Sequence, residues 1–206
     1  MEPTYGQFVQ LNRNWVELMS KLDHEKAKRL NEHFDLVHAV ANGDFARPLL
    51  TFQIWKTISI GGMPEEALLK ALEKDGNEVT NWARDMMSQP EFTVAKERES
   101  INLARARVSE LGFTEMPTTR ELWKRIREIG ELCPAEVGPQ LRHQYQDQPK
   151  GEVLWVAMEQ ITGSDGGPSV FGVERHGGGG RWLSAGCADP GSRWDLGRGF
   201  VFSLRK

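Results

Sequence analysis

After Pro149 the helical spacing of apolar side chains stops, and the rest of the chain reads as short strands punctuated by glycine turns. EVLWVAMEQI (152–161) is rich in β-branched and apolar residues and has strand length. GSDGGPS then predicts a turn, SVFGVERH (169–176) a second strand, and the glycines at 177–180 a flexible connection. RWLSAG (181–186) and FVFSLRK (200–206) read as a third and a fourth strand. Four short strands after two helices predict an α+β class with an antiparallel sheet.

Upstream the pattern is helical. WVELMSKL (15–22) and AKRLNEHFDLVHAVANG (27–43) carry apolar residues at helical spacing, with Gly43 as a stop. PEEALLKALEKDG opens with Pro64 in the first turn, places Glu65 and Glu66 at the positive end of the dipole, and stops at Gly76. NEVTNWARDMM (77–87) reads as a further short helix following directly. INLARARVSELGF (101–113) alternates weakly, as a strand does. TTRELWKRIREIG predicts a helix capped by Thr118 or Thr119, with Glu121 in its first turn, a stripe at Leu122, Ile126 and Ile129, and Gly130 as stop. CPAEVGPQLRHQY predicts a shorter helix starting at Pro134. The expected division is a helical N-terminal region over 1–92 and a mixed domain over 93–206.

Composition excludes several classes. Apolar residues make up 39% and charged residues 27% of 206, the balance of a soluble globular protein. The net charge of −3 gives no general attraction to nucleic acid. No apolar run approaches the roughly 20 residues of a membrane span. MEPTYGQFVQLNRNW has no basic region followed by an apolar stretch, so no secretory signal is expected and the cytoplasm is the default location. Cys133 and Cys187 are expected as two reduced thiols.

Most candidate motifs fail on their chemistry. HGGGG (176–180) lacks the Lys-Ser/Thr of a phosphate loop and opens into a strand. His33 and His38 are five apart and fall on different helix faces, and no histidine has a cysteine or carboxylate at metal-ligand spacing. Cys133 and His143 have no third group to orient them as nucleophile and base. The helices over 64–87 resemble a helix-turn-helix, but residues 1–97 hold 11 Lys and Arg against 15 Asp and Glu. That excess of acid opposes phosphate binding, so nucleic acid is not the expected partner. No catalytic residue, metal or cofactor is expected. Trp155, Trp182 and Trp194 admit two roles, a carbohydrate-stacking platform or strand anchors; for Trp155, inside an apolar strand, anchoring is the expected one.

One stretch needs a different account. WLSAGCADPGSRWDLGRGFVF (182–202) alternates a frame of Trp182, Leu183, Pro190, Trp194, Phe200, Val201 and Phe202 with chemically unrelated small residues. If the frame is buried, Ser184, Gly186, Cys187, Asp189, Gly191, Ser192, Asp195, Gly197 and Arg198 have no packing role. Such separation of scaffold from unconstrained surface is the physics of a paratope.

The same frame, W-L-x-x-x-x-A-x-P-x-x-x-W ahead of F-V-F, resembles the variable proteins of diversity-generating retroelements, which carry a C-type lectin fold. The stretch ELCPAEVGPQLRHQYQDQPKGEVLWVAMEQITGSDGGPSVFGVERHG and the block FQIWKTISIGG, NWARDMMSQPEFTVA and RVSELGF are similar to the upstream parts of that family. The resemblance implies an abbreviated C-type lectin domain, two helices and a small antiparallel sheet whose ends are drawn together, with a diversified segment over about 181–200. It also implies that adenines in template codons are miscopied. Asn codons then yield Ser, Gly, Asp, Cys, Tyr or Arg among others, and the scatter of Ser, Gly, Asp, Cys and Arg at the nine positions above is of the kind such a process would leave. Leu196 departs from the Pro common in that family, and Gly199 from the Arg before the aromatic residue. The implied function is binding of an unknown protein or surface ligand, not catalysis, through the nine exchangeable side chains with Trp182, Arg193 and Trp194 as scaffold or contact. Calcium is not expected, because there is no compact run of carboxylates. Two alternatives stand beside this reading. One is a domain like the formylglycine-generating oxidases, which share the fold and need cysteines and a metal. The other is a nucleic-acid-binding regulator acting through the N-terminal helices.

Overall fold

A computed structural model describes residues 52–205. The helices expected over 15–22 and 27–43 lie outside the described residues. The described part falls within one unit, residues 50–206.

The mixed α+β class holds. An eight-stranded sheet is built from β1 (Lys56–Ile60), β2 (Asn77–Val79), β3 (Glu99–Arg107), β4 (Val153–Val156), β5 (Ile161–Thr162), β6 (Pro168–Arg175), β7 (Arg181–Cys187) and β8 (Gly199–Ser203). Its order is β1-β3-β8-β4-β6-β7-β2, with β5 beside β6. Among the described residues four helices accompany it: α1 (Glu65–Lys74), α2 (Asn81–Met87), α3 (Thr119–Ile129) and α4 (Val137–Gln144). No helix among them is long and apolar enough to cross a membrane.

Two expectations need correction. The sheet is mixed, because β8 pairs in parallel with β4, and β2 in parallel with β7. Residues 56–60 and 77–79, read from the sequence with helices, are strands. The cause at 77–79 is the cap. Thr80 Oγ1 accepts from the Ala83 N–H at 3.2 Å, so α2 starts after Thr80 and Asn-Glu-Val remains outside it. Asn77 is buried and donates to the Leu72 carbonyl at 3.2 Å, which turns the chain from α1 into β2. The expected boundary near residue 92 therefore falls between strands of one sheet.

The helix around Leu122 behaves as its sequence predicts. Thr118 and Glu121 form a reciprocal capping box at the start of α3. Gly130 ends it for a different reason from the expected one. Its φ of −167° is open to any residue. A Cβ there, however, would lie 2.5 Å from the Ser203 carbonyl and 2.9 Å from the Phe202 ring. Close approach to β8, not backbone conformation, demands glycine.

Helix α4 packs on β6 through the same device. Gly138 has no Cβ, and one placed there would meet Phe171 at 2.6 Å. Beside it, Arg142 is fully buried. Its guanidinium donates to Gln148 Oε1, to the Tyr145 carbonyl and, at 3.0 Å, to the Glu174 carbonyl. Burial, with Arg181 and Arg175 nearby, lowers its pKa to about 10, so it stays charged at neutral pH. Gln144, at the end of α4, accepts from the Ser59 N–H at 2.9 Å and donates to the Ser59 carbonyl at 2.7 Å. A side-chain amide thus occupies an edge of the sheet that another strand could otherwise join.

Gly138→Ala should destabilise the domain by about 1–3 kcal/mol, the usual cost of overpacking against a buried ring. Urea unfolding followed by tryptophan fluorescence measures it, and a neutral result would mean that α4 can lift from Phe171 without penalty.

Candidate functional site

Strand β7 and the connection 188–198 carry all the residues in question, and main-chain hydrogen bonds position them. The Ala188 N–H donates to the Pro168 carbonyl at 2.8 Å, and the Ala188 carbonyl accepts from Gln160 Nε2 at 3.1 Å. The Pro190 carbonyl accepts from the Arg120 N–H at 3.2 Å, and the Ser192 carbonyl from the Thr119 N–H at 2.9 Å. The Trp194 N–H donates to the Pro117 carbonyl at 3.0 Å. The Leu196 and Arg198 carbonyls each accept at 3.0 Å, from the Ser109 and Val108 N–H groups. Every second residue from 188 to 198 is therefore tied to the body of the domain through its peptide group. All but one of these contacts are backbone to backbone, so they survive a change of side chain.

Aromatic packing holds the middle of the same segment. Strand pairing places Phe200, Trp155, Gly172 and Ser184 in one row across β8, β4, β6 and β7. Trp194 packs edge-on against Phe200 with centroids 4.9 Å apart, and tilted on Trp155 at 5.6 Å. Trp123 of α3 meets Phe200 at 5.7 Å. The Trp194 indole N–H donates to Thr119 Oγ1 at 2.9 Å, so its one polar atom is satisfied in a side chain only 8% exposed.

The expected exchangeable positions divide into two groups. Cys187, Asp189, Gly191, Asp195, Gly197 and Arg198 are exposed and Ser192 is half-buried. The Cys187 sulfur and the Ser192 hydroxyl oxygen are 3.9 Å apart. Asp189 Oδ1 accepts from the Gly191 N–H at 2.9 Å, a local turn. Arg198 Nε lies 3.7 Å from Asp195 Oδ2, an exposed pair that contributes little to stability.

Ser184 and Gly186 do not belong with them, which corrects the expectation that they lack a packing role. Ser184 is buried, with its hydroxyl on Glu174 Oε1. A Cβ at Gly186 would lie 2.4 Å from the Trp155 ring, and one at Gly172 would lie 3.0 Å from it. The benzo ring of Trp155 thus lies against two positions where only glycine leaves it room. Nothing in a single sequence distinguishes a glycine kept for a ring from one that is merely exchangeable.

The frame and contact residues also need adjustment. Leu183, Phe200, Val201 and Phe202 are fully buried, whereas Pro190 is exposed. Trp182 is half-buried and stacks on His176, centroids 5.2 Å apart and planes 17° off parallel. Arg193 is exposed but donates to the Met116 carbonyl at 2.7 Å. Sequence reasoning missed Pro117, Thr119, Val108 and Ser109 as the anchors of the segment. Their role is played mainly by peptide groups, which leave no mark on residue identity.

The two cysteines differ in kind. Cys133 is buried, its thiol lies 3.9 Å from the Val201 carbonyl, and burial pushes its pKa up. Such a thiol is a poor nucleophile. Cys187 is exposed. Among the described residues no three His, Cys, Asp or Glu side chains converge as metal ligands.

Searches with the chain and its structure found no matching family model, no similar curated protein and no similar solved structure.

Two predictions follow from this division. Trp194→Ala should cost roughly 3 kcal/mol or more and Gly186→Ala about 1–3 kcal/mol, while Gly191→Ser and Asp195→Asn should each stay within about 0.5 kcal/mol. Thermal melts of the four variants give the order directly; a Gly191 variant worse than the Trp194 one would end the distinction between frame and surface. The second concerns pH. The Thr118 N–H and hydroxyl donate to Glu121 and hold its pKa below the usual carboxylate value. A depressed folded-state pKa means that this contribution is present above the unfolded value and is lost as pH falls through the folded one. Stability measured from neutral to acid pH should therefore fall less steeply in Glu121→Gln than in the parent chain.

Proposed function

We propose that this chain is a ligand-binding, receptor-like protein whose carboxyl-terminal surface is diversified by retroelement-driven adenine mutagenesis, a variable protein with a C-type lectin fold. The observation that carries the reading is the tether of alternate residues from 188 to 198 through their peptide groups. A segment held by its backbone and by one buried tryptophan accepts different side chains without refolding. Further support comes from β3 and β8, which pair antiparallel while α3 and α4 lie between them along the chain. That is the arrangement in which a sheet draws its ends together.

Under this reading the exchangeable set is Cys187, Asp189, Gly191, Ser192, Asp195, Gly197 and Arg198, with Ser184 and Gly186 retained for Trp155. Mechanism is binding to a protein or surface ligand. Affinity at such surfaces is concentrated in Trp, Tyr and Arg. Here Trp194 is buried and Arg193 is engaged by Met116, so Trp182 and Arg198 are the large contact groups of this copy. The small residues between them add little area.

The DNA beside the gene tests the class. The expected result is a near-copy of the codons for 187–198 that differs only at adenines, close to a reverse-transcriptase gene. Differences scattered over all four bases, or over the codons for Trp194 and Phe200, would overturn it.

A further inference from the structure

We infer that the pocket where β1 meets α4 is a binding site for a small carboxylate. The inference stands apart from the binding surface proposed for 187–198, since none of its residues falls within 181–200. The pocket has a volume of about 190 Å³, and its walls include Ser59, Met63, Arg98, Gln140, His143 and Gln144. By liquid volume that is room for roughly six water molecules, or for a carboxylate carrying a few methylenes.

A relay of fixed amide orientations leaves one donor over. The peptide group of Ser59 has a definite polarity, so Gln144 must present Oε1 to its N–H, 2.9 Å away, and Nε2 to its carbonyl at 2.7 Å. The same Nε2 donates to Gln140 Oε1 at 3.1 Å. That engages the acceptor end of the Gln140 amide and leaves its NH2 end without a partner among the described residues. Gln140 is only 4% exposed, yet its Nε2 is not among the buried polar atoms sealed from solvent. A donor held in so buried a side chain costs free energy until an acceptor meets it.

The other spare groups on the wall can donate as well. The Ser59 hydroxyl and the exposed Arg98 guanidinium have no partner among the described residues. No aspartate or glutamate lines the pocket. Of the carboxylates around it, Glu136 accepts from the Gly61 and Ala95 N–H groups at 2.7 Å each, and Asp75 Oδ2 lies 2.7 Å from His143 Nδ1. What remains is one permanent cation, an amide N–H and a hydroxyl, with the amide acceptors already taken. That set suits one negative charge spread over two oxygens, which a guanidinium fork matches in shape as well as charge. Half-buried Met63 gives the adjoining methylenes an apolar wall. A phosphate, with more than one charge at neutral pH, would face a single guanidinium.

The test uses the full chain with methyl-labelled methionine, and NMR follows the Met63 methyl group as sodium butyrate is added at constant ionic strength. A saturable shift is expected. Butyramide, of the same size but uncharged, should give none at equal concentration, and inorganic phosphate should bind more weakly than butyrate. Arg98→Gln should weaken butyrate binding roughly two- to five-fold, the scale of one exposed ion pair. Gln140→Met keeps the length and removes the donor, and should weaken it roughly ten-fold or more, as for a hydrogen bond to a charged group. Lys124→Gln, an exposed lysine on α3 outside the pocket, should leave it unchanged. Arg98 is exposed, so its variant reports on the site even where Gln140→Met fails to fold. Absence of a saturable shift, an equal response to butyramide, tighter binding of phosphate, an equal loss in Lys124→Gln, or an affinity unchanged in Arg98→Gln would each overturn the assignment.

Discussion

The carbonyls of Pro190 and Ser192 and the N–H of Trp194 are hydrogen-bonded to the entrance of α3, and much of the molecule is arranged around that seam. It needs α3 to begin at Thr119, which the Thr118–Glu121 capping box secures. It needs α3 to lie against β8, which Gly130 permits by admitting the Ser203 carbonyl and the Phe202 ring. It also needs Trp194 to reach Phe200, so that the segment is pinned by burial as well as by hydrogen bonds. With these in place the loop has a shape before any exposed side chain is chosen. Binding surfaces that are rigid in advance avoid the ordering cost that flexible loops carry into a complex.

Trp155 extends the same logic into the sheet. Its ring covers Gly172 and Gly186 and supports Trp194 from below. Two positions that look dispensable are thereby tied to the packing of the most important side chain in the loop. Under the proposed reading, the surface open to exchange is narrower than its sequence suggests and begins at Cys187, where β7 ends.

Much was legible in the chain itself. The helix after Thr118, the stop of α1 at Gly76, the strands β4, β6, β7 and β8 and the burial of Leu183, Trp194 and Phe200 all follow from local patterns of capping, periodicity and size. Local signals misled where a long-range partner decided the outcome. Asn77–Val79 forms a strand because Arg181–Leu183 offers it an edge, although its neighbours on both sides are helical. Lys56–Ile60 forms a strand because Ile101 and its neighbours pair with it, within a region whose surroundings read as helix. Ser184 and Gly186 appear in the sequence alongside Gly191 and Gly197, and only the position of the Trp155 ring separates them.

By itself the sequence determined the alternation of large anchors with small residues near the carboxyl end, the two helices ahead of it, the first of them capped, and the glycine-punctuated strands between. These depend on side-chain size and on bonding within a few residues, and both can be read from order alone. Tertiary structure decided which peptide groups hold the 188–198 segment and which glycines make room for a ring. Each of those facts joins residues tens of positions apart, either through backbone atoms that every residue carries or through glycines whose partner ring the order of residues does not name.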